Sequence, residues 1–343
     1  MFELMLASNI PAQIDPIAFR IGNLTVRWYA IILTSAMLIA LFVLYKLAKT
    51  KKFTGDFVLE VFLWTIPLSI IAARLGFSVP RAIKAALGLA APGYETDHWL
   101  GWQGFLNVFN ISEGGLTILT GIFGGLLGIF IACKHKKVAL FDVVDLVIPA
   151  LLIGQALGRW GNFMNEELFG LPITNPALQW MPFAVYIHAD NGLLIELGLQ
   201  EGWYAANFFY ESMMNLFFAI FIIMLIKRGK NKPGEISALY MFWYGLLRGL
   251  LEFLKLGAFK LGGVIGGAQI FSFCFSAVGL VLFILIKKGV IKLQTTNEMR
   301  IKKHIQFVPN DAFIEGTFNE DFDKAEKLEQ AEEKEWRDRK NQK

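Results

Sequence analysis

The sequence predicts an all-α polytopic membrane protein: seven transmembrane helices, N-terminus outside, C-terminus cytoplasmic, and a small outer cap. Three observations predict it. Hydrophobic residues make up 55% of the 343-residue chain and charged residues only 18%, with a mean hydropathy of +0.48, a composition beyond that of a soluble core. Seven apolar runs recur along the chain. Lysines gather in every second connection between them.

The runs cover residues 27–45, 57–79, 115–133, 141–158, 208–226, 235–254 and 264–286. Each is close to the ~20 residues that carry a helix across ~30 Å of hydrocarbon. Lys46, Lys49, Lys51 and Lys52 follow the first run, Lys134, Lys136 and Lys137 the third, Lys227, Arg228, Lys230 and Lys232 the fifth, and Lys287, Lys288 and Lys292 the seventh. Basic loops stay on the cytoplasmic side, so the stretches 80–113, 159–206 and 255–262 face outward. Trp99, Trp102, Trp160, Trp180 and Trp203 fall on that outer side, as an interfacial belt requires. The stretch before the first run has no basic start and no cleavage pattern, and is not expected to be a removable signal peptide.

The connections differ in character. "RAIKAALGLA" (81–90) reads as an amphipathic helix lying in the interface, and 171–206, with three prolines and many polar residues, as a folded cap. Residues 1–288 then form one membrane domain and 289–343 a charged cytoplasmic tail, disordered or a short charged helix. The net charge of +4 is scattered through short clusters instead of lining one face, which argues against nucleic acid as a partner. Cys133 and Cys274 lie inside apolar runs without ligating neighbours, so neither a disulfide nor a metal site is expected, and no cofactor.

Polar residues inside this setting carry the functional signal. In "GRWGNFMNEELFG" (158–170), Arg159, Asn162 and Asn165 or Glu166 recur at steps of three and four, which places a cation and amides on one helical face near headgroup depth. Gly158 and Gly161 leave room for another helix or a lipid phosphate; equally, Arg159 snorkels and the glycines only pack. In the sixth run, Tyr244, Arg248 and Glu252 form a stripe at four-residue spacing. Charged groups in a membrane helix are costly unless paired or facing a wet cavity, and two arginines in one leaflet suit bidentate phosphate binding; a self-neutralising Arg248 and Glu252 pair is the alternative. The glycine pair of "SEGGLTILTGIFGGLLG" (112–128) reads first as packing, Arg27, Trp28 and Tyr29 as the outer start of the first helix, and Asp145 and Arg74 as structural charges paired with each other or with other helices.

These residues carry a resemblance. "GRWGNFMNEELFG" resembles the G-R-x-G-N-F-x-N-x-E-x-x-G signature of bacterial prolipoprotein diacylglyceryl transferases, and "VRWYA", "SEGGLTI", "FDVVDLVIPA" and "YGLLRGLLEFLK" are similar to other stretches of that family over about residues 15–288. The resemblance implies transfer of the diacylglyceryl group of phosphatidylglycerol to the lipobox cysteine of a prolipoprotein signal peptide, in the plasma membrane of a bacterium. It implies that Arg159 binds the phosphate, that Asn162, Asn165, Glu167, Gly170, Tyr29 and Tyr244 contact or orient the headgroup, and that Arg248 is a second cation with Glu252 fixing its geometry or taking the thiol proton. Membrane lipids are the partners, and no cofactor or metal enters. Two departures from the family bear on the proton. The third-helix motif usually offers histidine or tyrosine where this chain has Leu119, followed by Thr120, and the H-P-T-x-L-Y-E pattern is "AANFFYE" here, keeping Tyr210 and Glu211. The acceptor is then Glu252, Tyr29, Tyr244 or solvent. The rival from another class is a carrier of anionic lipid or phosphate-bearing solute, which favours internal repeats, and none is found. A scaffold that recruits partners through its tail leaves the arginines unexplained.

Overall fold

The computed structural model describes residues 13–22, 24–88, 117–256, 260–261 and 265–299, together with residues 11, 102, 104, 106 and 107. All seven apolar runs are helical in it: α1 (Trp28–Ala48), α2 (Gly55–Ala86), α3 (Ile118–Lys136), α4 (Leu140–Met164), α6 (Asn207–Lys227), α7 (Glu235–Leu251) and α8 (Gly267–Lys288), with a short α5 (Gly192–Leu197) between α4 and α6. Five of them are long and apolar enough to cross a membrane, namely the helices at Trp28–Lys51, Gly55–Ala86, Leu140–Met164, Asn207–Lys227 and Gly267–Lys288. The protein is therefore polytopic. Of its apolar window α4 buries 61%, against 17–39% for the other four, which makes it the helix around which the rest pack.

The chain is mostly helical, and the all-α expectation is corrected by three two-stranded antiparallel ribbons among the described residues. The strands β1 (Ile17–Ile21) and β2 (Leu24–Arg27) precede α1, β3 (Ala184–Ile187) pairs with β4 (Gly202–Ala205), and β5 (Lys260–Leu261) pairs with β6 (Ile265–Gly266). The β3–β4 ribbon runs in register from Ala184 opposite Ala205 to Ile187 opposite Gly202. It closes a small core of Phe169, Val185, Ile187, Leu194, Tyr204 and Phe208 between the ribbon, α5 and the first turn of α6. Burial raises the Tyr204 phenol above its usual range, so it stays neutral and donates to the Gln200 carbonyl at 2.6 Å.

The reading of 81–90 as a separate interfacial helix is also corrected: α2 runs unbroken through Pro67 and Pro80 to Ala86, and residues 89–90 lie outside the described residues. The larger part of 80–113, the amino-terminal ten residues and the tail from residue 300 lie outside them as well. Thr54 starts α2 by accepting from the Phe57 amide at 3.3 Å. The glycines of α3 serve packing against α2. A Cβ at Gly124 would meet the Leu68 carbonyl oxygen at 2.3 Å, and one at Gly128 the Trp64 carbonyl oxygen at 2.6 Å, so the two backbones touch. Thr120, where the family motif has glycine, fits over Gly76 of α2; the Leu119 side chain lies outside the described ones.

Asp145 and Arg74 do not pair with each other. Asp145, buried near the start of α4, accepts from the Gly234 and Ser237 amides at 2.8 and 2.9 Å and from the Ser237 hydroxyl at 2.5 Å, capping α7. Arg74 donates to the Asn107 carbonyl at 2.7 Å.

Candidate functional site

Three helices meet at the cap end of the bundle with their polar residues in one place. The last turns of α4 bring Arg159, the first turn of α6 brings Glu211, and the last turn of α7 brings Arg248. Arg159 Nη2 donates to Glu211 Oε1 at 2.5 Å, and Arg248 Nη1 donates to Glu211 Oε2 at 3.3 Å. One carboxylate thus holds two guanidiniums, one on each oxygen. The Glu211 side chain is 6% exposed, Arg159 16% and Arg248 33%. The carboxylate is sealed in while each cation keeps an edge open, which is what a ligand-binding pair needs. Two positive charges against one negative leave the trio with one net positive charge.

The surrounding packing fixes α4 against α6. Trp160 Nε1 donates to Ser212 Oγ at 3.1 Å, and that hydroxyl donates on to the Ala156 carbonyl at 2.8 Å. The Trp160 ring meets Phe163, Phe208 and Phe209 edge-on, and Phe163 stacks on Phe208 with ring centres 4.7 Å apart. One turn inward of Arg159, Gln155 Nε2 donates to Tyr240 Oη at 2.9 Å, and Tyr240 stacks on Tyr244 at 5.6 Å.

Beyond Arg159 the signature leaves the helix and turns back. Asn162 Nδ2 and Asn165 Nδ2 donate to the two oxygens of Glu167 at 3.0 and 3.3 Å, and the Glu167 amide donates to the Asn162 carbonyl at 2.8 Å. The reversal requires left-handed backbone at Glu166 (φ 48°) and Leu168 (φ 58°). Gly170 then passes so close to α6 and the end of α7 that a Cβ there would meet the Asn207 side chain at 2.6 Å and the Leu254 carbonyl oxygen at 2.7 Å. Gly161 does the same for α1: a Cβ would lie 2.7 Å from the Tyr29 ring. Tyr29 therefore joins this end of the bundle by packing on the signature glycine.

The structure brings Arg159, Arg248, Asn162, Asn165, Glu167, Gly170 and Tyr29 to one end of the bundle, with Tyr244 a turn inward of Arg248. It does not pair Glu252 with Arg248. The α-helix ends at Leu251 and Glu252–Leu254 tighten into a 3-10 turn, where residues three apart eclipse. Glu252 accordingly faces Lys255, with Nζ 3.5 Å from Oε1. The partner of Arg248 is Glu211, to which the sequence reading gave no role. The signal was present: Glu211 and Asn215 stand four apart on α6, the same spacing that marked α7. Among the described residues no three His, Cys, Asp or Glu side chains gather as a metal site would require.

A buried carboxylate holding two part-open arginines at one end of an apolar bundle marks a polytopic membrane protein with a charged cluster among its helices. Comparison with known proteins narrows that class. The family model described as "Prolipoprotein diacylglyceryl transferase" matches residues 16–285. A phosphatidylglycerol–prolipoprotein diacylglyceryl transferase of Clostridium botulinum (strain Langeland) is 32% identical over 278 residues, covering 81% of this chain and 98% of the relative. One of Listeria monocytogenes serotype 4a is 28% identical over 300 residues, covering 88% and 95%. The chain belongs to the prolipoprotein diacylglyceryl transferase family. It is a transferase, and the carrier reading gives way to it.

Proposed function

We propose that the protein transfers the diacylglyceryl group of phosphatidylglycerol to the lipobox cysteine of prolipoprotein signal peptides, with Arg159 and Arg248 as the phosphate-binding cations. The observation that carries this is the charge of the trio: Glu211 leaves the two guanidiniums one net positive charge, which a phosphodiester with one negative charge neutralises inside an apolar bundle.

In this reaction the thiol sulfur attacks the glycerol carbon that bears the phosphate. The C–S bond forms, the C–O bond breaks, the thiol proton departs, and glycerol phosphate leaves carrying additional negative charge. Cations fixed in advance attract that growing charge more strongly than the ground state, which is what lowers a barrier. The paired amides Asn162 and Asn165, turned by Glu167, and the rings of Tyr29 and Tyr244 line the approach of the headgroup, and Gly170 keeps the cap seated at that end. Glu252, committed to Lys255, stands outside the guanidinium pair.

The same reading places the chain in a bacterial plasma membrane with seven spans, residues 1–288 as the catalytic domain and 289–343 as a cytoplasmic tail. The lysine clusters support a cap that faces outward, the side on which secreted precursors emerge. Incubating the purified protein with phosphatidylglycerol and a lipobox peptide tests the activity. Thioether-linked diacylglycerol on the cysteine is the expected product; lipid moved between leaflets with the thiol unmodified would return the carrier.

A further inference from the structure

His188 closes β3 and stands against the turn that follows α4. Its Nδ1 lies 2.8 Å from Glu166 Oε1, its backbone amide donates to Glu166 Oε2 at 3.3 Å, and its Nε2 lies 3.1 Å from the Pro11 carbonyl oxygen. A carboxylate and a carbonyl can only accept, whereas a neutral imidazole has a single N–H. Both ring contacts can be made together only when both nitrogens carry hydrogen. The groups around the ring suit that state. Glu166 is its counter-charge, the Tyr186 ring meets it edge-on at 5.2 Å, and Asp190, two residues on, accepts from Gln13 Nε2 at 2.8 Å on both oxygens, binding the same amino-terminal segment. Among the described residues no other cation contacts Glu166.

What the ring holds matters for the signature. Glu166 occupies a left-handed conformation that side-chain-bearing residues rarely keep without support from around them. Its carbonyl accepts from Asn191 Nδ2 at 2.9 Å and its carboxylate is gripped by His188, both from the cap. Only with the chain reversed at Glu166 does Glu167 turn back between the Asn162 and Asn165 amides.

We propose that His188, through its two ring contacts, is a positioning residue for the transfer reaction: it clamps Glu166 between the cap and the amino-terminal segment and so holds Asn162, Asn165 and Glu167 in place for the headgroup. The clamp is whole when both ring nitrogens carry hydrogen and keeps only one of its two ring contacts in the neutral ring, and histidine is the side chain that changes charge near neutral pH. The proposal rests on the transferase reading above.

The test compares His188→Asn and His188→Ala with the wild type from pH 5.5 to 8, with phosphatidylglycerol and a lipobox peptide. Asparagine places a donor where Nδ1 stands and keeps the Glu166 bond, but cannot titrate. Thiol reactivity rises with pH alike in every protein, so it cancels in the ratio of variant to wild type. That ratio for His188→Asn should start below one at pH 5.5 and climb by about threefold to tenfold by pH 8, as the loss of one charged hydrogen bond allows. Glu166→Gln, which removes the counter-charge, should give a similarly climbing ratio, and His188→Ala should fall below His188→Asn at every pH. A ratio independent of pH in both His188→Asn and Glu166→Gln, or full activity in His188→Ala, would overturn the clamp. Wild-type protein that modifies no peptide at any pH would instead overturn the transferase reading itself.

Discussion

The two ends of α4 treat charge in opposite ways. At the Leu140 end, Asp142 meets Lys51 at 3.3 Å, Asp145 is satisfied by the N-terminal amides and serine of α7, and Glu235 takes Lys287 at 2.6 Å together with the Lys232 amide at 3.0 Å. Each carboxylate there is answered by a cation or by donors that a helix start leaves over. At the Arg159 end one carboxylate answers two guanidiniums. Balanced pairs cost the bundle least and hold helices together. A held surplus of cation lowers stability on its own account, since like charges stand close in a poorly solvated place. Its presence makes sense when an anionic partner completes it.

The largest effect should come from removing the surplus. Arg159→Ala leaves Arg248 and Glu211 as a neutral pair, and transfer should fall by about a thousandfold, the scale of losing a charge-stabilising group at a reacting phosphate. The protein should still extract from the membrane folded. Arg159→Lys should recover little, since an ammonium has the charge without the fork that spans carboxylate and phosphate. Full activity in Arg159→Ala would dissolve the contrast between the two ends.

Glu211→Gln sharpens the comparison by changing the balance in the other direction. The cluster then carries two positive charges with a neutral amide that accepts at one oxygen only. Headgroup binding should hold or tighten, because the anion meets more positive charge. The rate should drop by about a hundredfold, because the guanidiniums lose the fixed geometry that the transition state needs. Kinetics should therefore show kcat lowered with KM unchanged or smaller. A raised KM with kcat intact would make Glu211 part of lipid binding instead.

How much of this was readable in advance follows the same division. Each apolar run holds a helix, because about twenty consecutive apolar residues have one stable state in a bilayer, although α2 continues to Ala86 and α4 to Met164, past the expected ends at 79 and 158. Arg159 and Arg248 stood out for the cost of placing them there. The expected partner of Arg248, Glu252, is not the one it has. Spacing four apart on α7 pointed Glu252 at Arg248, but the switch from α-helix to 3-10 turn at Glu252 rotates that carboxylate toward Lys255. The true partner comes from α6, about forty residues away in the chain, and such a contact depends on how helices pack, which periodicity within one helix does not encode. The ribbons of the cap were hidden for another reason: strands of four residues such as Ala184–Ile187 show too few alternations to separate from a loop.

Glu252→Gln tests that correction directly. With Lys255, itself half-exposed, as its partner at 3.5 Å, the carboxylate makes one long ion pair away from the guanidiniums, and its loss should slow transfer by no more than about threefold. The pH profile should keep its shape. A strong defect that alkaline pH restores would show instead that Glu252 takes the thiol proton, since thiolate then forms without help.

The smallest effect on transfer should come from the opposite end of α4, and it completes the contrast. Asp145→Asn replaces one of two accepting oxygens by a donor. The remaining oxygen can keep the Ser237 amide and hydroxyl, which lie on Oδ1, but the new NH2 then faces the Gly234 amide, donor against donor. Removing the buried charge returns part of its desolvation cost, yet an unmet amide at the start of α7 outweighs it, so the variant should lose about 1–3 kcal/mol of stability. Because α7 carries Arg248 to the other end as a rigid rod, transfer measured below the melting transition should stay within about twofold of wild type. Thermal unfolding in detergent and kcat on the same preparation separate the two outcomes. A large kinetic loss with the melting temperature unchanged would mean that the charges at both ends of α4 act on the chemistry, and the division between structural and functional ends would fall.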